Sequence, residues 1–227
     1  MKEPGSATHF DDNRAAKYDH RIRMIIPAYE SLHQMVNHLL NSLLPVDAHI
    51  LVVGAGTGMD IITCGAANPK WTFTAVEPSD AMFATCQKNI AASRLKDRVQ
   101  MHCGYIDDLS KDLKFDAATA ILVSHFIQDE QEKFRFFSKI AAFLQNKAPF
   151  VVADLQGDKD SEEFQLLIKS WRHLFSSLEV TAKDFEEAFN HIQKDISFVP
   201  EHRYQKLLEE SGFGHMLNFY RAYLFGG

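Results

Sequence analysis

Residues 50–58, Ile50-Leu51-Val52-Val53-Gly54-Ala55-Gly56-Thr57-Gly58, decide the fold together with Glu77, which closes the next apolar run. Four apolar residues read as a buried strand and run straight into glycines at alternating positions, and a helical pattern starts near Met59. The chain must turn from strand to helix within a few residues, and a Cβ there would hold a ligand away from the backbone. The helix that follows presents free N–H groups and the positive end of its dipole to whatever lies on the loop. The next strand, Trp71–Val76, ends in Glu77, a carboxylate placed to accept two ribose hydroxyls. The pattern is that of a nucleoside-binding α/β domain.

Spacing narrows the nucleoside. The dinucleotide fingerprint G-x-G-x-x-G needs a third glycine where this chain has Met59, which disfavours a nicotinamide dehydrogenase. The spacing present is G-x-G-x-G, and it resembles the first motif of class I S-adenosylmethionine (SAM)-dependent methyltransferases. Further segments resemble the same family in order: Ala75-Val76-Glu77-Pro78-Ser79-Asp80-Ala81-Met82, then Phe115-Asp116-Ala117-Ala118 before an apolar strand, then Gly212-Phe213 before a final aromatic run. Phe10-Asp11-Asp12 through Tyr18-Asp19 and Ile26-Pro27-Ala28-Tyr29 resemble the N-terminal helical cap of its small-molecule subgroup.

The resemblance implies a doubly wound α/β fold with a mostly parallel, seven-stranded-type sheet. It divides one domain over 1–227 into a helical cap (1–45), a SAM-binding core (46–155), and helical additions with a C-terminal strand (156–227). It implies SAM as cofactor and S-adenosylhomocysteine as product. The cofactor would be held by Gly54, Ala55, Gly56, Thr57, Gly58, Glu77, Pro78, Met82, Gly104, Tyr105, Ile106, Val123, Ser124 and Tyr18. Two departures stand out. Where the family often has an acid after strand three, this chain has Tyr105, and Asp107 and Asp108 come two and three residues late; adenine is then expected to rest on backbone and on Tyr105 or Ile106. The chain stops at Phe225-Gly226-Gly227, so a seventh strand is expected to be stunted or missing.

The rest of the chain reads as alternating elements. Helical periodicity runs from about Asp11 to Leu44, with Pro27 in a first turn. Ser79 caps a helix carrying Met82, Phe83, Cys86 and Ile90 on one side. Strands are read at Val99–Cys103, Phe115–Val123 and Phe150–Ala153, with a helix over Glu130–Leu144 between the last two. Two helices over 161–177 and 182–193 bring Trp171, Phe175, Phe185 and Phe189, which read as core or as the lining of an acceptor pocket. A helix over Pro200–Ser211 ends at Gly212, and Met216–Leu224 reads as a strand.

Composition narrows the chemistry. The net charge is −6 over 227 residues, and no dense Lys/Arg run marks a nucleic-acid surface. No segment has signal-peptide character or membrane-spanning length. Cys64, Cys86 and Cys103 form no C-x-x-C pair and read as reduced thiols of a cytoplasmic protein. Eleven histidines show no metal-site spacing, so no metal is expected. The expected partner is a small-molecule methyl acceptor, with no nucleic acid and no membrane; a homodimer is allowed.

Methyl transfer from a sulfonium is an in-line displacement in which the protein aligns groups and excludes water. A base is needed only when the acceptor must lose a proton. His125, after strand four, is the candidate catalytic base, against the plainer reading of a packed histidine bonding backbone. Tyr18, Tyr29 and His33 on the cap are candidates to close over a sulfonium, against the plainer reading that the tyrosines only pack the cap to the sheet. The absence of an Asn/Asp-Pro-Pro-aromatic signature at Val123-Ser124-His125-Phe126 argues against adenine-N6 or glutamine substrates. The chain also resembles carboxy-SAM synthase, whose added carboxylate needs a cation, with Arg203 the candidate. A non-catalytic SAM-binding protein is the third reading.

Overall fold

A computed structural model describes the backbone of residues 12–176, 189–190, 192 and 194–227, and the side chains of all of these except 12–17, 175 and 176. The readings of a helix over 182–193 and of roles for Phe175 and Phe185 fall largely outside these residues. The two opening helices are α1 (Asp12–Ile25) and α2 (Tyr29–Leu43). Alternation then begins with β1 (His49–Val53), α3 (Met59–Ala67), β2 (Thr72–Glu77), α4 (Asp80–Ala92), β3 (Val99–Cys103) and β4 (Ala117–Ile121). It continues with α5 (Glu130–Phe143), β5 (Phe150–Leu155), α6 (Glu162–Ser176) and α7 (Glu201–Glu210), and closes with β6 (Arg221–Ala222) and β7 (Phe225–Gly226).

The described strands form one sheet in the order β3-β2-β1-β4-β5-β7-β6. The first five are parallel, while β7 runs antiparallel to β5 and to β6. Side-chain alternation along β1 sends Ile50 and Val52 to one face and Leu51 and Val53 to the other. The first face is covered by Leu32, Val36 and Leu40 of α2, Ile61 of α3 and Trp171 of α6. The second is covered by Phe137 and Ile140 of α5 and Leu207 of α7. Covering on both sides is why the central strands read as unbroken apolar runs.

The sequence reading is corrected in two places. The helical run 11–44 does break where Pro27 reads as a first turn: Ala28 adopts the left-handed conformation (φ 57°) and α2 starts at Tyr29. The fourth strand is shorter than Phe115–Val123. The run 216–224 is mostly irregular: only Arg221–Ala222 pairs, folding back in a tight hairpin onto Phe225–Gly226. The seventh strand is therefore present and stunted, two residues long. Tyr220 Oη donates to the Pro27 carbonyl at 2.6 Å, and Trp171 Nε1 donates to the Ile25 carbonyl at 2.7 Å. These bonds tie the C-terminal hairpin and α6 to the elbow between α1 and α2.

Candidate active site

From β1 the chain passes to α3 on one face, and from β4 to α5 on the other. The loops leaving the ends of these adjacent strands diverge, and such a switch point is where open α/β sheets bind ligands. A cavity of about 1110 Å³ lies there. That is enough for a nucleoside cofactor and a second small molecule, since single-ligand pockets run roughly 300–1,000 Å³.

The floor is the glycine loop. Gly54 has φ +69°, and a Cβ on it would stand 2.6 Å from Val123 Cγ2, so the β1 and β4 loops meet there only because the side chain is missing. A Cβ on Gly56 (φ +55°) would meet nothing closer than the Met82 terminal carbon at 3.7 Å, and Gly56 lines the cavity. Ala55, Thr57, Pro78 and Met82 also line the wall. Gly58 does not: it is the left-handed turn before α3 and abuts Cys86.

Glu77 stands at the end of β2, 6% exposed. Its Oε2 accepts the Gly56 amide at 2.8 Å and its Oε1 accepts the Ser79 amide at 2.9 Å. Burial pushes its pKa up, and the two backbone amides oppose that shift. The carboxylate braces the loop and keeps lone pairs for donors in the cavity, a sugar diol being the obvious pair. On the far wall Gly104, Tyr105 and Ile106 follow β3. Asp107 and Asp108 stand there too, each engaged: Asp108 Oδ2 accepts the Tyr105 amide at 2.8 Å, and Asp107 pairs with Lys139 of α5 at 2.7 Å.

The cap closes the remaining side with Tyr18, Tyr29 and His33. Burial, then the carboxylate Asp19, raises the Tyr18 pKa; burial likewise raises that of Tyr29, so both phenols stay protonated. Thr57 Oγ1 donates to Asp19 Oδ1 at 2.5 Å, and Arg23 bonds Glu30 at 2.6 Å beside Tyr29, with Nη2 3.9 Å from Met59 Sδ. His33 Nδ1 lies 2.6 Å from Asp60 Oδ1, off the line of a good hydrogen bond, while Asp60 Oδ2 accepts from Thr119 Oγ1 at 2.9 Å. His33 Nε2 is buried and has no hydrogen-bond partner among the described residues, an arrangement costing about 1–3 kcal/mol. Sequence reasoning missed Asp19 and Asp60; an acid in the first turn of α3 was the legible signal for Asp60.

Ser124 and His125, expected in the site, lie outside the cavity wall. His125 is 6% exposed and its Nδ1 bonds Asp154 of β5 at very short range. Asp154 Oδ2 also accepts Ser124 Oγ at 2.6 Å and the His125 amide at 3.1 Å, and Ser124 meets Tyr204 Oη at 2.9 Å. Lys133 Nζ donates to the carbonyls of Ser124 and Ile127, and burial lowers its pKa to about 8. Burial alone would raise the Asp154 pKa, yet His125, Ser124 and Lys133 hold it below the ordinary carboxylate range. This is a buried polar knot joining the ends of β4 and β5. The sequence hid it because Asp154 lies 29 residues from His125. Arg203 is outside the wall as well, paired with Glu130 and Glu210 on the surface of α7. Trp171 and Phe189 pack on each other in the core and take no part in the cavity.

Residues 51–150 match the methyltransferase-domain family. Those residues, a little under half of the chain, carry a methyltransferase domain. The strand order and the match agree, and its cofactor is SAM. The wall fits that cofactor on its own chemistry: a glycine-floored loop, a buried carboxylate at the end of β2, and apolar side chains between them. The carboxy-SAM synthase of Shewanella woodyi is 23% identical over 95% of this chain and 89% of its own length. A structure described as a putative O-methyltransferase from Nostoc punctiforme superposes with a TM-score of 0.66 at 16% identity, over 92% of this chain and 55% of that one. A SAM-dependent methyltransferase from Clostridium acetobutylicum does so with a TM-score of 0.53 at 22% identity, over 64% and 57%. The chain thus spans little more than half the length of these solved structures. Among the described residues no helix is long and apolar enough to cross a membrane.

Proposed function

We propose that the chain, as a single domain, transfers a methyl group from SAM to a small-molecule acceptor by in-line displacement. SAM, when bound, supplies an activated methyl on a sulfonium. Glu77 accepts the ribose hydroxyls, the loop from Gly54 to Thr57 lies along the methionine part, and Tyr105 and Ile106 flank the adenine. Tyr18 and Tyr29 turn aromatic faces and neutral phenols toward the cation and exclude water. The observation that carries this reading is the doubly braced Glu77 carboxylate in the wall of a cavity with room for a second molecule.

A small neutral acceptor is supported by the lining beyond the loop, where Ile121, Leu122, Phe126 and Ile127 are apolar. Leu122 holds a left-handed backbone (φ 63°) in that wall, the kind of strained position that collects at sites. The test is incubation with methyl-labelled SAM and a panel of hydroxyl-, amine- and thiol-bearing small molecules, read by mass spectrometry. Labelled product from at least one acceptor is expected; SAM bound but never consumed would leave a non-catalytic binding protein.

A second reading, a carboxy-SAM synthase-like enzyme, is favoured by the Shewanella woodyi relative, which matches nearly end to end. Arg203 does not serve it, since the cations in the wall are Arg135 and Lys139, each already paired with a carboxylate. Cofactor released from protein purified from cells separates the readings: the synthase reading expects a species heavier than SAM by a carboxyl group.

A further inference from the structure

Lys133 of α5 is wholly buried, which lysine almost never is unless its ammonium is paired. Its Nζ donates to the carbonyls of Ser124 and Ile127, at the start and just past the end of the short turn Ser124–Phe126 that follows β4. The Ser124 carbonyl also accepts the Ile127 amide at 3.0 Å, so the ammonium locks the bond that closes this turn. Side chains of the stretch part in two directions. Leu122, Val123, Phe126 and Ile127 line the cavity, whereas Ser124 and His125 turn away into bonds with Asp154. Lys133 therefore holds, from behind, the backbone that presents the apolar wall. Leu122 keeps a left-handed conformation (φ 63°) in that wall, and a strained residue persists only where its surroundings over-determine it.

Resting on the methyl-transfer reading, we propose that Lys133 is the positioning residue of the acceptor wall. Its ammonium fixes the turn after β4 so that Leu122, Phe126 and Ile127 form one face for an apolar acceptor, and removing that charge loosens the face while the cofactor loop stays formed. The glycine loop is braced separately, by Glu77 and Asn89, so the two sides of the cavity are held by different groups. The ammonium faces Asp154 of β5 and Glu130 of its own helix, which pairs with Arg203 of α7; His125 and the Tyr204 phenol of α7 stand around Asp154. Burial lowers the Lys133 pKa to about 8 against the pull of both carboxylates. Below that value the turn is held by an ionised donor, whose hydrogen bonds are roughly twice as strong as neutral ones. As pH rises through it the proton leaves, Asp154 loses a counter-charge, and the wall slackens. The phenols of Tyr18, Tyr29 and Tyr204, all raised by burial, keep their protons over that range.

The test uses the whole protein saturated with S-adenosylhomocysteine, and fluorobenzene, an apolar probe that does not titrate, followed by fluorine NMR. Affinity is measured from about pH 6 to about pH 9, on both sides of the Lys133 value, with circular dichroism confirming the fold at each step. Wild-type affinity for fluorobenzene should fall about fivefold across the interval, in proportion to the share of chains whose wall is formed. Lys133→Met, which keeps the side-chain length without the charge, should bind at the weakened level throughout, with no pH dependence. Both proteins carry the same cofactor, so its own titration cancels between them. Near neutral pH their affinities for S-adenosylhomocysteine, read by calorimetry, should differ by less than about twofold, as for independent sites. Fluorobenzene binding that is absent from the wild type or level through the interval overturns the proposal. So does a Lys133→Met protein that keeps wild-type affinity for the probe, or that loses S-adenosylhomocysteine along with it. Should that variant not fold, the wild-type series decides alone. Failure of the wild type to bind S-adenosylhomocysteine overturns the methyl-transfer reading and the proposal together, whereas a loss confined to fluorobenzene overturns the proposal alone.

Discussion

Thr57 in the glycine loop donates a 2.5 Å hydrogen bond to Asp19 of α1, so the cap and the cofactor loop are one mechanical unit. Asn89 of α4 holds the Thr57 carbonyl from below at 3.0 Å. Asp19→Ala should free α1 while leaving the sheet intact. Affinity for S-adenosylhomocysteine should drop by about fivefold, in line with about 1 kcal/mol for one hydrogen bond, and proteolysis within α1 should quicken. Unchanged affinity and cleavage would show that the cap is held without this contact.

The two glycines that floor the site should fail in different ways. Gly54→Ala drives a methyl group into Val123 at 2.6 Å on a left-handed backbone. Overpacking of this kind costs about 1–3 kcal/mol, so the melting temperature should fall. Gly56→Ala meets nothing closer than 3.7 Å, so it should lose little stability beyond backbone strain and yet lose cofactor binding. Thermal melts paired with calorimetry separate the two. Equal effects on stability and binding would mean that the open side of Gly56 does not face the ligand.

Acid should release the cofactor through Glu77. Its folded pKa is raised above the ordinary 4.5 by burial, so in the free protein the ionised form costs stability at neutral pH, and that cost is relieved as pH falls through the raised value. Hydroxyls donating to the carboxylate favour the ionised form, so affinity for S-adenosylhomocysteine should weaken across the same interval. Glu77→Gln should bind weakly and flatten the pH dependence. A wild-type affinity constant down to the ordinary carboxylate range would remove Glu77 from the site.

The knot around Asp154 should matter for stability before chemistry. Its folded pKa is lowered, so its contribution is fully present above the ordinary 3.8 and is lost as pH falls through the lower folded value. Asp154→Ala leaves Lys133 buried without its counter-charge and His125 Nδ1 without its partner, a loss of about 3–5 kcal/mol that should lower the melting temperature by roughly 6–20 °C. A fall of a degree or two would show that the knot is solvated.

Short-range patterns carried most of the fold. The apolar runs of β1, β2, β4 and β5 and the glycine spacing after Val53 placed the sheet and the switch point, and Ser79 marked its helix as an N-cap, accepting the Met82 amide at 3.4 Å. Pro27 marked the break between the two opening helices, but the left-handed Ala28 that makes the elbow leaves no trace in the periodicity. The final hairpin escaped because aromatic alternation in 216–224 mimics a strand, whereas only two residues pair on each side. Site residues split the same way. That Gly54, Gly56 and Glu77 share the cavity wall could be read from sequence because the loop is local. That Asp60 joins that wall and His125 lies off it could not, because their partners, His33 and Asp154, are set by cap packing and sheet order.

The most direct measurement is titration of purified protein with SAM and S-adenosylhomocysteine at neutral pH, wild type beside Glu77→Ala, with circular dichroism confirming the fold of each. One site per chain is expected for both ligands in the wild type, with affinity weaker by at least about tenfold in the variant, since a hydrogen bond to a charged group is worth about 1.5–3 kcal/mol. Folded wild-type protein that takes up neither ligand, or a variant that binds as tightly as its parent, would contradict a sugar-gripping carboxylate at the end of β2.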